Sequence, residues 1–171
     1  NYDRMNLERG ADGSDRDTVV GGGDPVTITE PYSEDYTMLR TWALPSLLMV
    51  LENNTHRSYP QDLSEIGLAA EYDDSESTSV AEHRTVAGAL ARHDATYEDI
   101  KSRLQALCEN FGVDLTTPRI EHPTFIDGRA AAVDIDGDRV GVIGEIHPAV
   151  LIEHDLELPV AAFEFELAAL G

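Results

Sequence analysis

The sequence has one cysteine and one lysine among 171 residues, and each shortage excludes a class of protein. Cys108 alone can form no internal disulfide and no Cys-based metal cluster. Lys101 is joined by arginines, of which Arg40, Arg57, Arg84, Arg92, Arg103, Arg119, Arg129 and Arg139 are dispersed along the chain. Contact with a phosphate backbone needs clustered cations, so direct nucleic-acid binding is not the main work of this region. No apolar run approaches the roughly 18 residues that a membrane span requires. No secretory leader is visible, which gives the cytoplasm as the expected location. The first residue is Asn1 and not Met, so the chain is expected to be a fragment of a longer one.

Acid is what the sequence has in excess. Asp and Glu total 33 against 12 Lys and Arg, a formal net charge of −21. The acids are scattered and not gathered in a tail, which disfavours an acidic interaction segment. With 42% hydrophobic residues the chain can bury a core, and its length suits a single domain over residues 1–171. Like-charge repulsion of this size opposes compaction in dilute salt. At about 1 M salt the screening length falls to roughly 3 Å. The composition reads as that of a halophile's protein.

The most apolar stretch, Met38 to Asn54, holds the only Trp and organises the rest. Pro45 suits the first turn of a helix. Leu44, Leu47, Leu48 and Leu51 follow one helical face, predicting a helix from about Leu44 to His56. Met49 and Val50 lie off that stripe. A helix that is apolar on two sides is expected to be buried on two sides. This makes Trp42, Met49 and Val50 candidate interface residues.

Before that stretch, residues 1–9 could hold a short strand, and residues 10–25 read as an acidic, Gly-rich flexible loop. Gly21-Gly22-Gly23 lacks the strand before and helix after that a phosphate-binding loop needs. Val26–Thr29 reads as a strand and residues 30–33 as a turn. Leu63–Ala70 and His83–Arg92 read as strands around a polar hairpin loop, Tyr72 to Ser79. Tyr97, Ile100, Leu104, Leu107, Cys108 and Phe111 form the stripe of a second helix, with Thr96 as cap and Gly112 as stop. Cys108 on that stripe is a core thiol. Asp136-Gly137 marks a type I′ hairpin turn with Asp134 facing Arg139. Gly141 and Gly144 on the returning strand imply close packing by another element. Pro148 opens a short helix, Ala149–His154, and a last strand sets Ala161, Phe163, Phe165 and Leu167 on one face. Hairpins dominate and βαβ alternation is absent. An α+β fold is expected, an antiparallel sheet with helices on one face.

Of the six histidines, His83 and His93 sit at opposite ends of one strand, and none has the metallohydrolase spacing. Glu145 and His147 are two apart and could point one way as an acid/base or zinc pair. The plainer reading has His147 capping the Pro148 helix and Glu145 satisfying nearby backbone.

Val26-Thr-Ile-Thr-Glu-Pro-Tyr-Ser-Glu-Asp-Tyr-Thr-Met-Leu-Arg-Thr, then Leu44-Pro-Ser-Leu-Leu, Asn53-Asn54 and Ser64-Glu-Ile-Gly67, closely resembles the archaeal-type β chain of phenylalanyl-tRNA synthetases. Gly141-Val-Ile-Gly-Glu-Ile-His-Pro148 and Val160-Ala-Ala-Phe-Glu-Phe165 are similar to the same family's C-terminal signatures. The likeness spans roughly residues 26–167, and the acidic segment before it departs from the family pattern. It implies a class II synthetase-like module that is catalytically inert. The strand Leu63–Ala70 has Glu65 but no Arg, and no Gly-x-Gly-x-Gly-x-Glu-Arg run occurs. Without an Arg aimed at phosphates, phosphoryl chemistry lacks its charge stabilisation. The implied role is assembly: pairing with a catalytic α chain, as α2β2, in the ATP- and magnesium-dependent charging of tRNA(Phe) during translation. On this reading the region itself holds no catalytic, cofactor or metal residue, and tRNA is met through the whole complex. The alternative is a stand-alone acidic enzyme with a cleft around Glu145 and His147.

Charge alone sets one expectation. Thermal melts from about 0.1 to about 3 M KCl will show a large rise in midpoint as the repulsion is screened; a flat response contradicts the halophilic reading.

Overall fold

The computed structural model describes residues 3–5, 21, 23–32 and 37–171. Six strands form one antiparallel sheet: β1 (Gln61–Tyr72), β2 (Val80–Ala91), β3 (Leu115–Thr116), β4 (Phe125–Ile135), β5 (Asp138–Ile146) and β6 (Val160–Glu166), ordered β1-β2-β6-β5-β4-β3. Three α-helices accompany it among the described residues: α1 (Leu44–Glu52), α2 (Tyr97–Phe111) and α3 (Pro148–Glu153). The expected α+β class holds.

The expectation of helices on one face does not. α1 and α2 lie on opposite faces, because alternate positions of β2 and β6 are both apolar. Ala87, Ala89, Ala91 and Ala162 join Leu44, Leu47, Leu48 and Leu51 in one core. Val86, Leu90, Ala161, Phe163 and Phe165 join Ile100, Leu104 and Cys108 in the other. A sheet covered on both sides needs apolar residues at both parities. The α1 face is paved largely with alanine, the α2 face with larger side chains.

α1 is shorter than expected. It stops at Glu52 because Asn53 and Asn54 turn their side-chain amides back onto the Met49 and Val50 carbonyls, at 2.8 and 2.7 Å. Such local bonds compete with another helical turn. Its four inward leucines are buried. α2 matches its expected span, with Thr96 and Asp99 forming a capping box and Gly112 in the left-handed conformation at its end.

Val26–Thr29 is not a strand. Thr27 makes a single bridge to Met38, and Pro25 a single bridge to Glu71 at the outer edge of β1. Proline has no N–H to extend that pairing. The hairpin turn is as expected: Asp136 and Gly137 both have positive φ, and Arg139 Nε donates to Asp134 at 3.2 Å. A Cβ on Gly141 would overlap the Glu164 carbonyl oxygen, and one on Gly144 would press on Phe125. Of the N-terminal expectations, residues 3–5 form a short 3-10 helix and not a strand. The rest of 1–9, and the loop expected at 10–25 apart from residues 21 and 23–25, lie outside the described residues.

Leu48 is fully buried between α1 and the sheet. Leu48→Ala will cost roughly 2–5 kcal/mol of unfolding free energy, read from urea denaturation.

Candidate functional site

Two features on the α1 face could carry function: the start of α1 and the cleft beside it. The first N–H groups of a helix have no partner within it, and the N-cap residue here is Ala43, with no side-chain oxygen. Glu164 supplies the missing acceptor from the middle of β6. Its Oε1 accepts the Ala43 N–H and its Oε2 the Leu44 N–H, both at 2.7 Å. Glu164 is fully buried. Burial pushes its carboxyl up to about 7, against the pull of those two N–H groups, the nearby Thr85 hydroxyl and the charge of Arg40.

Beyond the start of α1 the sheet face opens into a cleft of about 420 Å³. Its floor comes from β2, β5 and β6 through His83, Thr85, Val142 and Glu164, and its walls include Trp42 and His122. Glu71, Glu121 and Glu166 add three more carboxylates. The one arginine of the lining among the described residues, Arg139, is held by Asp134. Arg40, whose charge reaches Glu164, is bound to Glu65 at 2.5 Å and donates to the Leu68 carbonyl and the Ser46 hydroxyl. The cleft is therefore negative and suits no polyphosphate. Glu65, seen in the sequence without a neighbouring Arg, is spent on Arg40.

The three interface candidates part ways. Trp42 is 2% exposed and its ring lies 5.7 Å from that of His122, tilted by 42°, with Gly21 against it. Met49 is half-buried, and Val50 is 45% exposed on the outer side of α1. Cys108 is buried in the α2 core, which pushes its thiol up and away from reactivity.

Glu145 and His147 do not form a catalytic pair. Glu145 accepts the Tyr97 N–H at 2.9 Å, at the start of α2, and bonds Arg129 at 2.5 Å. His147 Nδ1 accepts the Ala149 N–H at 3.1 Å and caps α3. Each serves a different helix start, as the plainer reading had it. Among the described residues no group of three His, Cys, Asp or Glu side chains converges to hold a metal ion, and no helix is long and apolar enough to cross a membrane.

Sequence reasoning missed Glu164 and a second buried group, His154. His154 is fully buried behind α3, with Nδ1 3.3 Å from Glu52 Oε2. Arg4 bonds Glu52 at 2.7 Å and also donates to the Glu153 carbonyl. Burial, reinforced by the Arg4 charge, drops His154 to about 4 against the pull of Glu52. Burial also raises Glu52, but Arg4 and His154 together outweigh it and leave that carboxyl low. The available signal was a charged residue within an otherwise apolar strand, Val160 to Phe165.

The family model described as phenylalanyl tRNA synthetase beta chain CLM domain matches residues 9–167. The chain is 73% identical to the phenylalanine–tRNA ligase beta subunit of Haloarcula marismortui, an alignment covering 100% of this chain and 30% of that one. It is 67% identical to the beta subunit from Natronomonas pharaonis, covering 99% and 29%. It is 42% identical to the one from Thermococcus kodakarensis, covering 99% and 30%. The chain thus spans about three-tenths of the length of the curated relatives it matches.

Glu164 and His154 act oppositely on stability. Between about pH 4 and 6.5 His154 stays neutral in the fold while the unfolded chain binds a proton there, so its contribution rises with pH. Between about pH 4.5 and 7 Glu164 stays protonated in the fold while the unfolded chain has released that proton, so its contribution falls. Glu164→Gln removes the falling part. Its unfolding free energy will therefore climb relative to the parent's across that window, by on the order of a few kcal/mol in denaturant melts at stepped pH.

Proposed function

The chain belongs to the phenylalanyl-tRNA synthetase β chain family, and we propose that it is the non-catalytic assembly module of a phenylalanine–tRNA ligase. On this reading it is a region of a longer β chain, a class II synthetase-like copy that pairs with a catalytic α chain, as α2β2, in the cytoplasm of a halophile. The observation that carries the non-catalytic reading is the acidic cleft. Among the described residues four Glu side chains line it, and the one arginine of that lining is tied to Asp134. Among the described residues the lining does not fit ATP and magnesium: its arginine is tied to Asp134, and no group of three His, Cys, Asp or Glu side chains converges to hold the ion. Both belong with the α chain, and tRNA(Phe) is engaged by the whole complex. The stand-alone enzyme reading has no support, since Glu145 and His147 are committed to separate helices.

Pairing is assigned to the outer side of α1. Its inner side is filled by this chain's own core, whereas Val50 stands exposed with Met49 half-covered beside it. Trp42, the third interface candidate, is buried in the wall of the cleft beside the start of α1. Burying a charge in such a contact without a counter-ion is costly.

The test is Val50→Asp. The variant will melt as the parent does, and its affinity for the α chain will fall by about tenfold or more, read by titration calorimetry. Neither form alone will support phenylalanine-dependent ATP–pyrophosphate exchange. Collapse of the melt with normal binding by the folded fraction would place the interface elsewhere, and exchange by the isolated chain would end the non-catalytic reading.

A further inference from the structure

The α2 face of the sheet is covered only in part. α2 packs on β2, β5 and β6, and the C-terminal 3-10 helix Leu167–Leu170 lies on β2. The outermost strand, β1, continues the same face with Ile66, Leu68 and Tyr72, which are 63%, 50% and 50% exposed. Pairing sets Ile66 beside Val86 and Leu68 beside Arg84. Val86 belongs to the α2-side core, so apolar surface runs from that core out onto the open strand. Arg84 is exposed, and no ion pair among the described residues holds it.

We infer that Ile66, Leu68 and Tyr72 form a shelf on which another part of the same longer polypeptide docks, an apolar segment bringing a carboxylate to Arg84. This rests on the reading that these residues belong to a longer chain. The size of the patch selects a tethered occupant. Three side chains exposed by half or more present on the order of a few hundred Å². A separate partner needs roughly 1,000 Å² or more of buried surface to hold on its own. A segment of the same chain is presented at an effective concentration on the order of millimolar, so a small patch suffices to seat it. The relatives supply the length, since the match covers 30% of the Haloarcula marismortui subunit. Charge agrees: Arg84, exposed beside Leu68 and held by no ion pair among the described residues, offers a docked carboxylate its counter-charge.

The experiment uses the longer chain, with and without the α chain. Ser64, exposed on the same face beside Ile66, is replaced by the photo-crosslinker benzoyl-phenylalanine, leaving the shelf intact. Irradiation followed by peptide mass spectrometry will join position 64 to residues of the same chain outside 1–171, whether or not the α chain is present. Adding Leu68→Asp will cut that product by about tenfold while the melt and α-chain binding stay as they were. Cross-links confined to residues 1–171, to a second copy, or to the α chain would overturn the inference and leave the assembly role standing. An intact mass showing that the native chain ends with these residues would instead remove the longer-chain reading itself, and the shelf's occupant with it.

Discussion

The position of α1 depends on one carboxylate in a place where charge is expensive. Glu164 sits fully buried in the middle of β6 and accepts the N–H groups of the N-cap residue Ala43 and of Leu44, the first residue of α1. Those donors have no helical acceptor, and Ala43 cannot provide one. A carboxylate is also what the positive end of the helix dipole prefers. Burial works against ionisation and leaves the group titrating near neutrality. The bond therefore fixes where α1 begins and which way it lies across β2 and β6. It also sets the outward direction of Val50 and the position of the cleft beside the helix start.

The two faces of the sheet meet their helices by different means. Under α1 the pavement is Ala87, Ala89, Ala91 and Ala162, and small side chains let the helix backbone come close. Under α2 the contact is made by Val86, Leu90, Phe163 and Phe165 against Ile100, Leu104 and Cys108. Gly88 gives up its side chain where the Phe163 ring lies against it, and Gly141 does so against the Glu164 carbonyl and Phe165. Packing at this density leaves little room for adjustment within the sheet. Open surface lies at the periphery and includes the outer side of α1, the face of β1 and the cleft.

The cleft joins the physics of the fold to the functional reading. It is placed on a sheet face next to a helix start, a position where many proteins bind phosphates. Here that helix start is already occupied by Glu164, and the walls add Glu71, Glu121 and Glu166. The nearby arginines are paired with Asp134 and Glu65. Among the described residues of the lining, an anion would meet mostly like charge. What such a chain offers a larger assembly is its outer surface, carried on a rigid two-sided core.

Much of the fold could be read from the residues. α2 is legible because its cap, stripe and stop are local, all within Thr96 to Gly112. The β4–β5 turn is legible because Asp136-Gly137 is among the few pairs that accept positive φ twice. Family likeness was legible because its motifs fall in order along the chain, and the acidic composition because charge needs no fold to be counted. The strand expected at Val26–Thr29 failed because β-branched residues state a preference, while pairing requires a partner, and Pro25 cannot extend one. Which faces the helices cover was not legible either, since a strand apolar at both parities does not say what lies on each side. The Glu164 clamp, the Arg4–Glu52–His154 group and the Arg40–Glu65 pair join residues far apart in sequence. Only the tertiary structure decides them, because the strength of a buried charge depends on what the rest of the chain brings within about 3 Å of it.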